Sequence, residues 1–374
     1  ISKNCSFLQS IYFKEELYRK LNFVYIVKNS EEARKIQFTG KSSYIVSLPK
    51  QWILDLGLKR GDQVIVSRQG ASGLKIFPST EQVKSSQIDE ATFEIGSDDK
   101  DSAIVRKLIS LYFLGFKTIN IVPKNERLKP SQRMVVKDAV KRMLMGTEII
   151  SDSSNEITIQ VLVNLFELSV DGAFKRMLHI AKSMLNDAFL AVKENNFELA
   201  NEVINADDEV DRFGFYIIRQ LKIAIQNEHM LEEMGFSNAR NCLGYRLVVK
   251  NIERTGDHAV IIAKDLIEFK KSIKKDILEK IQEMNQFAIS LMDEACLALF
   301  KEDFYQAEKT IEKALEITKY EKKVLDSARS IKDEEEHYRI RRMVENIRRI
   351  AEYASDIAEI VLNINVEKAL KKKA

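Results

Sequence analysis

Through the second half of the chain, apolar residues recur at steps of three and four. Ile252, Ala259 and Leu266 form one row, and Thr255, Ile262 and Phe269 form a parallel one. Two such rows make the stripe of an amphipathic helix. The stretch returns downstream: Asn251-Ile-Glu-Arg-Thr-Gly-Asp-His-Ala is echoed by Asn346-Ile-Arg-Arg-Ile-Ala-Glu-Tyr-Ala, with Glu352 in the place of Asp257. A second echo pairs the run from Leu190 to Ala200 with that from Leu297 to Ala307. Residues 166–374 therefore read as a duplicated helical unit, 166–270 followed by 271–374. Stacked modules of this kind bury one continuous core.

The pattern differs upstream. Residues 1–33 carry a weak helical pattern (Phe7, Leu8, Ile11, Tyr12) and no assigned role. Residues 34–80 alternate in the manner of strands: an extended run from Arg34 to Lys41, a strand at 43–48, and a hairpin from 63–66 and 73–77. Pro49 opens a short helix that Gly57 stops. Residues 81–165 alternate strands (91–95, 118–122, 148–150, 156–161) with helices (100–114, 131–144), which predicts a small α/β linker domain.

Composition narrows the class. The chain has 374 residues, 45% hydrophobic and 31% charged, enough for two or three domains. Only 4 prolines and 13 glycines argue against long disordered linkers. The net charge of +3 does not announce nucleic-acid binding, so any such role must sit in a local patch. Cys5, Cys242 and Cys296 are scattered, with neither zinc nor disulfide spacing, which favours a reducing cytoplasm. No apolar run approaches the ~20 residues that cross a bilayer, and no signal peptide is evident. Gly40-Lys41-Ser42 is no phosphate-binding loop, since that motif needs glycine where Lys35 stands.

Ser47-Leu-Pro-Lys-Gln-Trp-Ile-Leu-Asp-Leu-Gly-Leu-Lys-Arg-Gly-Asp-Gln-Val64 resembles the AbrB/SpoVT swapped-hairpin family, with the spacing from Pro49 to Gly57 to Gly61-Asp62 carrying the likeness. The resemblance implies an interleaved homodimer that binds DNA through basic side chains, which map onto Arg34, Lys35, Lys41 and Lys50. Ile53 departs from the family, where a basic residue is common. The bland reading is a solvated strand face in a dimerisation module.

The helical half resembles the PhoU family of phosphate-uptake regulators. Glu253-Arg-Thr-Gly-Asp-His-Ala259 is close to the family's core motif, and Arg348-Arg-Ile-Ala-Glu-Tyr-Ala354 is its degenerate copy. The resemblance implies two three-helix bundles side by side, with acidic i, i+4 pairs that hold metal. The expected fold is thus multidomain: a β-rich swapped-hairpin head, an α/β linker, and an all-α body of two tandem three-helix bundles.

Four acidic pairs qualify. Asp207 lies in the row Val203, Val210, Gly214, Ile217, and Asp211 in the row Ile204, Ile218, Ile225, so both interrupt apolar stripes. Glu253 and Asp257 share one flank of the next helix. A carboxylate inside such a stripe needs a metal, a cation or a proton. Metal coordination by these four stands against a buried ion pair with Arg212, Arg254 or another cation. In the second unit, Ala314 and Thr318 replace the two aspartates, and Glu312 and Glu316 run with Lys309, Lys319 and Lys323 as a solvated face. Glu352 and Asp356 remain as weaker candidates. Carboxylate ligands favour iron, manganese or magnesium. His258 reads as a capping or surface residue, and the acids around Glu334-x-x-His337 are explained by a helix start.

Three functions compete. One is a phosphate-transport regulator with a DNA-binding head and a metal-binding body, partnered by DNA and by a phosphate ABC transporter or its ATPase subunit. Another is a homo-oligomeric scaffold that touches the transporter without binding DNA. The third, a di-metal enzyme, is the weakest, because no Glu-x-x-His motifs face each other across the two units.

Overall fold

The structure is a computed structural model, and it describes residues 33–40, 43–69, 73–79, 90–162, 168–226, 228–269 and 272–370. The chain divides into two compact units, 1–86 and 87–374. In the first, β1 (Gln37–Thr39) and β2 (Ser43–Ile45) pair antiparallel, helix α1 (Lys50–Asp55) follows, and β3 (Val64–Gln69) pairs antiparallel with β4 (Gly73–Pro78). Pro49 is the N-cap of α1 rather than its first helical residue, with φ −61° and ψ 129°. Among the described residues of this unit, several apolar side chains lie in the open: Phe38 is 59% exposed, Tyr44 75% and Leu74 69%, while Leu58 is buried.

In the second unit, β5 (Glu90–Ile95), α2 (Asp101–Leu114) and β6 (Thr118–Pro123) form a parallel crossover. Helix α3 (Pro130–Met143) leads to β7 (Thr147–Asp152) and β8 (Ile157–Val161). The sheet order is β5-β6-β8-β7, with β8 antiparallel to both neighbours. Strand alternation points Ala91, Phe93 and Ile95 into one core with Ile104, Leu108, Ile119, Val136 and Ile159. Gly115 ends α2 in the left-handed conformation, φ 94°.

The helical body follows: α4 (Val170–Glu194), α5 (Phe197–Ala224), the short α6 (Glu228–Glu233), α7 (Ala239–Phe269), α8 (Lys275–Lys301), α9 (Phe304–Ala314), α10 (Ile317–Ala328) and α11 (Glu334–Ala369). Helices α4, α5 and α7 pack on one another, and so do α8, α9–α10 and α11. The two trios share one continuous core, joined mainly by α7 against α11. Gly244 on α7 permits that approach, since a Cβ there would come within 2.5 Å of Ile364.

The duplication reaches the backbone. Asn195 (φ 54°) and Glu302 (φ 51°) end the first helix of each repeat in the left-handed region. Asn196 and Asp303 then cap the second helices by accepting from the backbone N–H groups of Leu199 and Gln306, at 3.1 and 3.0 Å. The repeats differ along their second helix. The second helix of repeat two breaks at Leu315–Glu316, where Thr318 Oγ1 donates to the Leu315 carbonyl at 2.9 Å. The α/β layer is docked onto α5. Buried Arg219 donates to the carbonyls of Tyr112, Gly115 and Phe116, at the C-terminal end of α2.

Candidate metal centre

Helices α5 and α7 pack against each other in the core of repeat one. Val203, Val210 and Ile217 are buried on α5, which leaves Asp207 and Asp211 half-buried between them and the surface. On α7, Ile252, Ala259 and Leu266 are buried, Glu253 is half-buried and Asp257 is exposed. The four carboxylates feel one another. Burial, then the charges of Asp257, Asp208 and Glu253, push the Asp207 carboxyl up to about 6. Burial, then Glu253, Asp207 and Asp257, push Asp211 up to about 7. Desolvation and like charge act together here, the combination typical of functional carboxylates.

The ion-pair alternative does not account for the two aspartates. Among the described residues, neither forms an ion pair with lysine or arginine, and neither carboxylate is hydrogen-bonded. Lys264 and Lys250 ease them only at a distance, as the weakest influences on each. Arg254 lies over the Tyr353 ring, 5.8 Å from its centroid. Glu253 does take a partner, Lys250, one turn back on its own helix. Asp208, next in sequence, is turned to Arg142 on α3, whose Nε donates to it at 2.7 Å.

Gly256 faces this group. A Cβ there would meet Asp207 Oδ1 at 3.4 Å and Val210 at 3.6 Å, so glycine leaves the carboxylate uncovered. Glycine inside a helix costs ~1 kcal/mol relative to alanine, and repeat two has Ala351 at the matching position. The donor set suits a hard cation: four carboxylate groups on two packed helices, of which only Glu253 has an ion partner among the described residues. As placed, no three of these side chains close on a common point, and no such cluster occurs among the described residues. The quartet is a concentration of negative charge rather than a preformed cage.

Repeat two is built differently. Glu312 and Glu316 are exposed, and Glu316 pairs with Lys319 at 2.9 Å, which is the solvated face their spacing indicates. Ala314 is buried and Thr318 is exposed. Glu352 is held by Arg348 and by Arg349, the latter at 2.5 Å. Burial raises the Asp356 carboxyl, while Arg349 and Arg254 oppose the rise.

His258 is neither a cap nor a surface residue. Its Nδ1 lies 2.6 Å from Asn346 Oδ1 and its Nε2 3.1 Å from the Tyr353 hydroxyl, so it bridges α7 to α11. The repeat alignment held this signal, because Tyr353 is its counterpart and both face the shared interface. Glu336 does stand at a helix start: its backbone N–H donates to the Asp333 N-cap at 3.0 Å.

In the head, Arg34 and Lys35 are exposed on the extended lead into β1, and Lys50 is exposed at the first turn of α1. Lys41 lies outside the described residues. Among the described residues, no helix is long and apolar enough to cross a membrane.

Residues 174–266 and 281–361 each match the PhoU domain. Residues 37–84 match the family described as antidote-toxin recognition MazE, bacterial antitoxin. A phosphate-specific transport system accessory protein PhoU homolog from Aquifex aeolicus is 26% identical over 137 residues, 37% of this chain and 60% of that protein. The chain thus spans less than two thirds of that relative's length. Among solved structures, the phosphate transport system regulatory protein PhoU from Streptococcus pneumoniae is 18% identical with a TM-score of 0.45, covering 54% of this chain and 96% of the other. PhoU from Pseudomonas aeruginosa is 18% identical with a TM-score of 0.47, covering 53% and 96%.

Proposed function

From a chain that carries two PhoU domains behind a MazE/AbrB-like head, we propose a regulator of phosphate uptake. Its helical body answers to a hard divalent cation, and its head binds DNA. The observation that carries the reading is the carboxylate quartet of repeat one, set in a duplicated PhoU body with no ion partner for Asp207 or Asp211 among the described residues. Iron, manganese or magnesium held by Asp207, Asp211, Glu253 and Asp257 would supply the missing positive charge and tie α5 to α7. No catalytic step is assigned to it. Because α5 also seats the α/β layer through Arg219, a change in its packing on α7 reaches that layer.

The body's protein partner is the phosphate ABC transporter or its ATPase subunit, a reading supported by the transport-system name of the Aquifex aeolicus relative. The place of action is the cytoplasm, in keeping with the free, buried Cys242 and Cys296. The head's occupant is a second copy of itself. Exposed Phe38, Tyr44, Ile65 and Leu74 need a covering surface, and two-stranded hairpins are too small to be stable alone. Pairing doubles the set of basic side chains Arg34, Lys35, Lys41 and Lys50, which then neutralise phosphates.

The scaffold reading keeps the dimer and drops the DNA. A salt-dependent DNA-binding assay on the full chain decides between them. The regulator binds duplex DNA at ~50 mM salt with a log–log slope set by the phosphates it neutralises. The scaffold shows no affinity there. For the body, the purified ATPase subunit of the transporter is titrated onto the chain with and without Mn²⁺. Equal absence of binding in both removes the transport limb of the proposal.

A further inference from the structure

Laying the repeats over each other puts Arg348 where repeat one has Glu253, and Glu352 where it has Asp257. A carboxylate pair one turn apart on α7 has thus become an arginine–carboxylate pair on α11. The guanidinium is fully engaged. It bonds Glu352, four residues on, and Glu345, three residues back, the latter at 2.8 Å. Its Nε lies 3.9 Å from Glu321 on α10. Glu321 belongs to the helix segment that corresponds to the C-terminal part of α5, so this interaction spans the same helix pair that Asp207, Asp211, Glu253 and Asp257 span in repeat one. Glu352 receives a further guanidinium from Arg349.

Repeat two therefore does not fit a metal. Glu321, Glu345 and Glu352 already meet a guanidinium, and Ala314 and Thr318 stand where repeat one has its two aspartates. We infer that Arg348 is a tethered counter-ion. It stands in repeat two where repeat one takes an exchangeable divalent cation, so the body responds to that cation through its first repeat alone. A guanidinium stays charged throughout the working pH range and offers five donors. Arg348 therefore cannot dissociate as an ion can, and the α10–α11 interface is neutralised permanently. The asymmetry turns a duplicated body into one fixed half and one responsive half. The responsive half rests on the cation reading above, whereas the counter-ion stands without it.

The test uses the full chain and Mn²⁺, with thermal melts and equilibrium dialysis as readouts, in chelator and in excess Mn²⁺. R348Q removes the charge and keeps much of the size, and it is expected to melt a few degrees lower than wild type in chelator. R348E gives α11 the carboxylate pair that α7 carries, without the two aspartates of the second helix. It is expected to melt lower still in chelator, to recover in Mn²⁺, and to bind more Mn²⁺ per chain than wild type. R348Q melting with wild type in chelator overturns the counter-ion. A D207N/D211N chain that still takes up Mn²⁺ with Arg348 intact overturns the restriction to repeat one. Wild type that binds no Mn²⁺, with R348Q nevertheless melting lower, defeats the cation reading of repeat one and leaves the counter-ion supported.

Discussion

Asp265 shows how much a single buried charge matters in this body. Its side chain on α7 is 2% exposed and bonds Arg342 on α11 at 2.8 Å. Burial outweighs the attraction of Arg342 and lifts the carboxyl to about 6. Arg342 is a third exposed, so solvent takes up part of the charge that loss of the carboxylate leaves behind. D265A is therefore expected to lose about 1–3 kcal/mol in denaturant titration, more than E316A on the exposed face.

Asp207 and Asp211 set a pH dependence with a definite sign. Their folded values, about 6 and about 7, lie above the ordinary 3.8. The folded state thus holds protons more tightly than the unfolded one. The contribution to stability is complete below about pH 4 and is lost as pH rises through 6 to 7. Without divalent cation, the melting midpoint is expected to fall between about pH 5 and about pH 8. D207N/D211N is expected to flatten much of that fall, and Mn²⁺ to offset it in wild type. A midpoint that climbs steadily over this range in chelator contradicts the assignment.

At the scale of elements, periodicity and punctuation made most of the fold legible. Strict alternation at 91–95 found β5, glycine at 115 found the end of α2, and the three-and-four rows found α5 and α7. The break between α9 and α10 was not legible, because the apolar row continues across Leu315 and Glu316. Site residues separated along the same line. The aspartates of α5 announced themselves by interrupting an apolar stripe. Arg348 and His258 did not, since their roles lie in interactions between helices that one helix's spacing does not encode. The head's basic surface is also an element-scale matter. K41A/K50A is expected to weaken DNA binding across sequences and to reduce the salt slope by roughly one unit for each phosphate no longer neutralised. An unchanged slope in an electrophoretic or anisotropy titration removes these two lysines from the interface.

For the whole molecule, the proposed pairing of two heads would cover the exposed apolar side chains of the first unit, and on that reading the chain is expected to be at least dimeric at micromolar concentration by light scattering. A strictly monomeric mass contradicts the swapped-hairpin arrangement.

The cation response proposed for the body turns on repeat one, and repeat one alone, gathering a hard cation. The decisive experiment is equilibrium dialysis of Mn²⁺ against wild type, D207N/D211N and E312Q/E316Q at about pH 7.5, where the α5 carboxylates are ionised. Binding to wild type and to E312Q/E316Q is expected, with loss in D207N/D211N. Equal retention in both double variants, or no uptake by wild type, contradicts it.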